Sequence, residues 1–165
     1  DFKSAPSCPK ERSDYVESLC EKIRSYEEFA KAYRVVSIFV GGGTPSILEA
    51  GQMEEIFDAI KESFKLTEGA EITVEMNPGT VTSEKLKAYR DCGVNRLSIG
   101  LQSVNNNELK ALGRIHTYEE FFETYSMARE VGFKNINIDL IYTRDAFLGI
   151  SFLFNPYITH LLCRH

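Results

Sequence analysis

The sequence has no tryptophan, only five prolines, and no uninterrupted apolar run long enough to cross a membrane. Its most apolar stretch, residues 147–163, is broken by Asn155, Pro156 and His160. It falls short of the roughly 18 clean apolar residues a spanning helix needs. Basic excess is also lacking: 19 Lys and Arg stand against 24 Asp and Glu, a net charge of −5. With no surplus of cations to neutralise phosphates, a nucleic-acid partner is not expected. The N-terminus lacks the charged and then apolar layout of a secretory leader, and there is no initiator methionine. The four cysteines, Cys8, Cys20, Cys92 and Cys163, are too scattered for a C-x2-C or C-x3-C pair. Local spacing therefore supplies neither a zinc site nor an iron–sulfur site. These absences suit a cytoplasmic protein with reduced thiols. What remains is 165 residues, 43% hydrophobic and 26% charged, which is enough for one domain with a sizeable core.

Two periodicities alternate along the chain. Over residues 9–32, Tyr15, Val16, Leu19, Ile23 and Tyr26 recur at helical steps, with Pro9 suited to the first turn. Residues 35–40, a β-branched run ending at Gly41, predict a buried strand. A second helix carries Met53, Ile56, Phe57, Ile60 and Phe64 on one face. Residues 71–75 predict a strand and residues 83–92 a helix, with Thr82 as N-cap and Gly93 beyond its end. A third strand is expected at 96–100 and a short helix at about 105–112. The capping box Thr117-x-x-Glu120 opens a helix closed by Gly132, and a fourth strand follows at 135–141.

Strands separated by helices imply an α/β fold with parallel strands, because parallel neighbours need a crossover. A doubly wound sheet and part of a (β/α) barrel both satisfy the pattern. After Tyr142 neither periodicity persists, so residues 1–142 are expected to form the core and 143–165 an unrelated or frame-shifted tail.

In parallel βα folds, ligands gather at the C-terminal ends of strands. The first predicted strand is followed by Gly41-Gly42-Gly43-Thr44-Pro45-Ser46, whose glycines let backbone N–H groups approach a ligand and whose hydroxyls add donors. The pattern is neither G-x-G-x-x-G nor a P-loop. Glu75 ends the second strand, Gln102 follows the third, and Arg114 lies between two helices, where it could hold a carboxylate. Asp139 interrupts an apolar fourth strand, where an unpaired carboxylate would be expensive. His116 is read as a structural turn residue. The set, with Gly42, Gly43 and Thr44, suits a zwitterionic, ribose-bearing ligand, and it contains no nucleophile–base pair and no metal triad.

These residues also carry a resemblance. The glycine segment, then Glu71-Ile72-Thr73-Val74-Glu75-Met76-Asn77-Pro78-Gly79-Thr80, resembles motifs of radical S-adenosylmethionine proteins. So do residues 93–103, Leu112-Gly113-Arg114-Ile115-His116-Thr117 and Asn137-Ile138-Asp139-Leu140-Ile141-Tyr142. Within that family the sequence is most similar to the oxygen-independent coproporphyrinogen III oxidases and their heme-chaperone branch. The resemblance implies a partial (β/α) barrel of parallel strands with the first and last strands missing. It implies S-adenosylmethionine contacts at Gly42, Gly43, Thr44, Glu75, Gln102, Arg114 and Asp139, and porphyrin or heme as partner of full-length relatives. Arg114 would meet the methionine carboxylate, and Glu75, Gln102 and Asp139 would serve the amino group and ribose.

The family's C-x3-C-x2-C motif, whose thiolates hold a 4Fe–4S cluster, is absent. The family places an Asp-Phe segment shortly after that motif, and this chain opens on Asp1-Phe2. The expectation is a chain beginning just past the cluster cysteines, inactive as written, binding S-adenosylmethionine weakly and self-associating through open barrel edges. A non-catalytic binding module is the second reading. A cluster-free methyltransferase or nucleotide-binding domain ranks last, since no acidic strand end lies about 20 residues after the glycines. Anaerobic iron–sulfide reconstitution of this chain is expected to give no 4Fe–4S EPR signal on reduction. A stoichiometric cluster would overturn that expectation.

Overall fold

A computed structural model of the chain describes residues 8–141. The elements run α1 (Pro9–Arg24), α2 (Glu27–Ala30), β1 (Val35–Val40), a 3₁₀ turn (Pro45–Ile47), α3 (Ala50–Ser63), β2 (Leu66–Met76) and α4 (Ser83–Asp91). Then follow β3 (Arg96–Gln102), α5 (Asn106–Ala111), α6 (Tyr118–Val131) and β4 (Asn135–Leu140). The predicted boundary at residue 142 lies outside the described residues. Among them, no helix is long and apolar enough to cross a membrane.

All three strand pairings are parallel, and the spatial order is the chain order, β1-β2-β3-β4. Parallel crossovers are right-handed, so strands added always on the same side place every crossover helix on the same face. A doubly wound sheet reverses its order to put helices on both faces, and no reversal occurs among these strands. The arrangement is therefore the wall of a barrel. The topology settles what the alternation of periodicities left open.

The core lies between this wall and the helices. Val74, Leu97, Ile99 and Leu101 of the strands meet Met53 and Phe57 of α3, Leu86 and Tyr89 of α4, and Phe121 and Ala128 of α6. Helix ends are fixed by local chemistry. Thr117 Oγ1 accepts from the Glu120 N–H while the Glu120 carboxylate accepts from the Thr117 N–H, which satisfies two orphan donors of α6. At its other end Gly132 has φ 102°, a left-handed cap. Thr82 caps α4 as predicted.

Several expectations need correction. The first helix breaks after Arg24, and Tyr15 and Tyr26 are exposed; Val16 and Cys20 are the buried residues of its face. β1 is not buried: Val36 and Phe39 are each at least 60% exposed, because β1 has only one strand neighbour in the described sheet. Phe64 caps α3 in extended conformation and does not continue its face. β2 begins five residues earlier than predicted, since Leu66 still pairs with Val35 of β1, and residues 67–70 form a register irregularity before pairing resumes at Glu71.

One core group is unusual. The Tyr89 side chain is fully buried, and its hydroxyl has no hydrogen-bond partner among the described residues. Burial, with Cys92 and Glu49 nearby, pushes the phenol up to about 12. Leaving a buried hydroxyl unsatisfied costs about 1–3 kcal/mol. Tyr89→Phe is therefore expected to leave stability unchanged or raise it by about 1 kcal/mol in urea unfolding, whereas Leu86→Ala should lose about 2–5 kcal/mol. A loss above 1 kcal/mol for Tyr89→Phe would show that the hydroxyl is satisfied.

Candidate functional site

A strand alternates its side chains between two faces, so residues two apart share a face. One face of this sheet supplies the helix-side core. On the other, the registers align Thr73 with Arg96 and Asn135, then Glu75 with Ser98 and Asn137, then Gly100 with Asp139. This inner face is polar. Arg96 Nη1 donates to Glu71 Oε1 at 3.0 Å towards its N-terminal end. Nearer the C-terminal end Ser98, Asn137 and Asp139 form their own group.

At the C-terminal ends of the strands lies a cavity of about 410 Å³. Gly43, Thr44, Glu75, Gln102, Arg114 and Asp139 all line it, and they come from the loops or ends of four different strands and from the α5–α6 loop. Of the predicted residues only Gly42 lies outside the lining; its N–H donates to Glu75 Oε2 at 3.1 Å and so ties the glycine loop to the end of β2.

Two glycines make the clearances. A Cβ on Gly41 would lie 2.8 Å from Glu75 Oε2, so only a glycine lets that carboxylate reach back to the loop. A Cβ on Gly100 would lie 2.7 Å from Gln102 Nε2 and 3.2 Å from Asn77 Oδ1. Among the described residues Gln102 is the one non-glycine residue with positive φ, 71°, a left-handed conformation that costs a side-chain-bearing residue of order 1–2 kcal/mol. The irregular register between Gly100 and Gln102 accompanies it, and the Gln102 carbonyl accepts from the Ile141 N–H.

The glycine loop is braced from the β2 side. Asn77 Nδ2 donates to Thr44 Oγ1 at 3.0 Å, and the Asn77 N–H donates to Ser46 Oγ at 3.3 Å. The Ser46 and Thr80 hydroxyls pair at 2.5 Å, while Thr80 Oγ1 donates to the Asn77 carbonyl at 2.6 Å. Ser46 is fully buried.

Arg114 is half-buried, and its guanidinium has no ion pair or hydrogen bond among the described residues. Its segment is held at two points: the Arg114 N–H donates to the Leu109 carbonyl at 2.9 Å, and buried His116 places Nε2 3.1 Å from the Leu101 carbonyl. His116 thus has the structural part the sequence suggested.

Asp139 lies at the cavity, but not as a carboxylate set in an apolar strand. β4 is not apolar on both faces. Asn135, Asn137 and Asp139 share the inner face, and Asp139 is only half-buried, accepting from Ser98 and Asn137. The residues that sequence reasoning missed are Asn77, Ser98 and Gly100, which also line the cavity. For Ser98 and Gly100 the signal is the alternation of Arg96, Ser98, Gly100 and Gln102 against Leu97, Ile99 and Leu101.

Among the described residues no thiolates stand together as an iron–sulfur cluster would need. Cys20 and Cys92 are buried in the helical layer, where desolvation raises both thiols, and the exposed Cys8 sulfur caps α1. Among the described residues no three His, Cys, Asp or Glu side chains gather.

Comparison with known proteins agrees with the geometry. Residues 2–146 match the Radical SAM superfamily. The heme chaperone HemW of Lactococcus lactis is 43% identical over 128 residues, covering 78% of this chain and 33% of that protein. HemW of Escherichia coli is 40% identical over 129 residues, covering 78% and 34%. Among solved structures, coproporphyrinogen III oxidase (HemN) from Escherichia coli, a radical SAM enzyme, superposes with a TM-score of 0.77 at 32% identity, over 86% of this chain and 32% of that one. The maturase HydG, at 16% identity and a TM-score of 0.57, shares the fold alone. The chain spans about a third of the length of these relatives.

The strain at the cavity mouth is measurable. Gln102→Gly is expected to be neutral or to stabilise by about 1 kcal/mol, because glycine adopts positive φ freely. Gly100→Ala should destabilise by more than 1 kcal/mol, as the Gln102 amide and Asn77 must both give way. Thermal unfolding of the two variants checks this, and a destabilised Gln102→Gly would contradict it.

Proposed function

The chain belongs to the radical SAM superfamily, and on that premise we propose that the cavity at the strand ends holds S-adenosylmethionine. The observation that supports this reading is convergence: six residues chosen from separate stretches of sequence line one cavity. The electrostatics agree. The charged lining groups are Glu75, Asp139 and Arg114, net −1. At neutral pH the ligand carries an ammonium, a sulfonium and a carboxylate, net +1. The volume lies within the range of small-molecule sites, about 300–1,000 Å³.

The roles follow from hydrogen-bond chemistry. Arg114, which lacks an internal partner among the described residues, presents a planar donor fork to the methionine carboxylate. Glu75 and Asp139 are acceptors suited to an ammonium or a ribose diol, and the Gln102 amide supplies both donor and acceptor. Asn77 donates to Thr44 Oγ1, which leaves the Thr44 hydroxyl proton available to a ligand oxygen. Gly42 and Gly43, at φ 89° and 61°, turn the loop so that its backbone can approach the methionyl amino end.

When bound and reduced, S-adenosylmethionine supplies an adenosyl radical. The residues described here bind and orient; the electron donor is not among them. The parent protein is read as acting in heme or porphyrin metabolism, as the printed names of HemW and HemN suggest for those relatives.

Binding is tested by protein-observed NMR titration of the full chain with S-adenosylmethionine. Arg114→Ala and Asp139→Ala are each expected to weaken it about tenfold, in line with the 1.5–3 kcal/mol of a hydrogen bond to a charged group. Binding that neither substitution changes would overturn the reading.

A further inference from the structure

Asn137 is absent from the cavity lining, yet it sits at the centre of the most connected polar group on the inner face. Its Nδ2 donates to Asp139 Oδ1 at 2.6 Å and to Ser98 Oγ at 3.1 Å, and Ser98 Oγ donates to Asp139 Oδ2 at 2.9 Å. An amide nitrogen has two hydrogens and a hydroxyl has one. All three are used within the group, and two of them end on the same carboxylate, one on each oxygen. Asp139 is thus gripped from below by two neutral donors, with its remaining lone pairs towards the cavity.

The backbone explains why this group forms. Asn137 and Asp139 are two apart on β4 and share a face, and Ser98 is the register partner of Asn137. The register partner of Asp139 is Gly100, which has no side chain. With nothing directly across the sheet, Asp139 finds its neighbour diagonally, at Ser98. Ser98 is 5% exposed, so its hydroxyl has little water to turn to.

We infer that Asn137, together with Ser98, is a positioning residue that sets the orientation of the Asp139 carboxylate for ligand binding. The inference rests on the reading of the cavity as the S-adenosylmethionine site. Asn137 touches no ligand on this view. Its effect passes entirely through Asp139, which distinguishes it from a residue that merely stabilises the sheet.

A double-mutant cycle makes that distinction. The full chain and the variants Asn137→Leu, Ser98→Ala, Asp139→Asn and Asn137→Leu/Asp139→Asn would be titrated with S-adenosylmethionine by protein-observed NMR. Circular dichroism melts would confirm that each is folded. Asn137→Leu is expected to lose about five- to tenfold in affinity, less than the loss of a whole hydrogen bond to a charged group, because Asp139 keeps its Ser98 partner. In the Asp139→Asn background the same change should matter less than twofold. Ser98→Ala, a smaller perturbation on a different strand, should lose affinity in the same direction and covers the case in which Asn137→Leu fails to fold.

Equal losses from Asn137→Leu in both backgrounds would overturn the inference alone, since additive effects belong to a structural role. So would wild-type affinity in Asn137→Leu and Ser98→Ala while Asp139→Asn binds more weakly. If Asp139→Asn binds like the parent chain, the inference is overturned while the cavity reading can still stand on Arg114; if the parent chain shows no ligand-dependent shifts, the reading of the cavity is overturned and the inference falls with it.

Discussion

Parallel strands laid side by side in chain order leave their crossover helices only one face of the sheet to cover. That handedness constraint divides the molecule. The helix side takes Val74, Leu97, Ile99 and Leu101 and supplies the hydrophobic core. The opposite side is relieved of packing against helices and can carry Glu75, Arg96, Ser98, Asn137 and Asp139 in reach of one another. In a sheet covered on both faces these carboxylates and amides would face apolar side chains at a cost of several kcal/mol. The site exists because one face was never recruited to the core.

The same division explains what the sequence made legible. Helix caps were readable because each depends on a few adjacent residues: Thr82, the Thr117–Glu120 pair and Gly132 all do what their chemistry predicts. The site residues at strand ends were readable because parallel βα geometry brings strand ends together whatever their order. Burial was not readable where it depends on neighbours distant in sequence. The apolar β-branched residues of β1 predicted a buried strand, but burial there needs a second neighbouring strand, and β1 has one. Tyr15 and Tyr26 match helical spacing, yet both stay exposed. Asp139 reads as an isolated charge in the sequence because one of its two partners, Ser98, is 41 residues away, and the other, Asn137, shares its face only once β4 has formed.

Space at the mouth is governed by what is missing from side chains. Gly41 leaves room for Glu75 to accept from the loop, and Gly100 leaves room for the Gln102 amide and the Asn77 side chain. Gln102 pays for its place with an unfavourable backbone, a residue type held where glycine would be easier. Local preference is overridden at the point where an amide is useful, a pattern common at binding sites.

Arg114 illustrates a different economy. Its backbone is tied to Leu109, and two residues later His116 is anchored beneath Leu101, so the intervening segment has few alternative shapes. A cation on a long free loop would surrender much of its conformational entropy on meeting a ligand, at roughly 1–2 kcal/mol per ordered backbone residue. Here that loss is incurred during folding, when the core compensates it. On the proposed reading, the arginine would meet its anion preorganised, and affinity at this corner would depend mainly on the side chain and little on the loop.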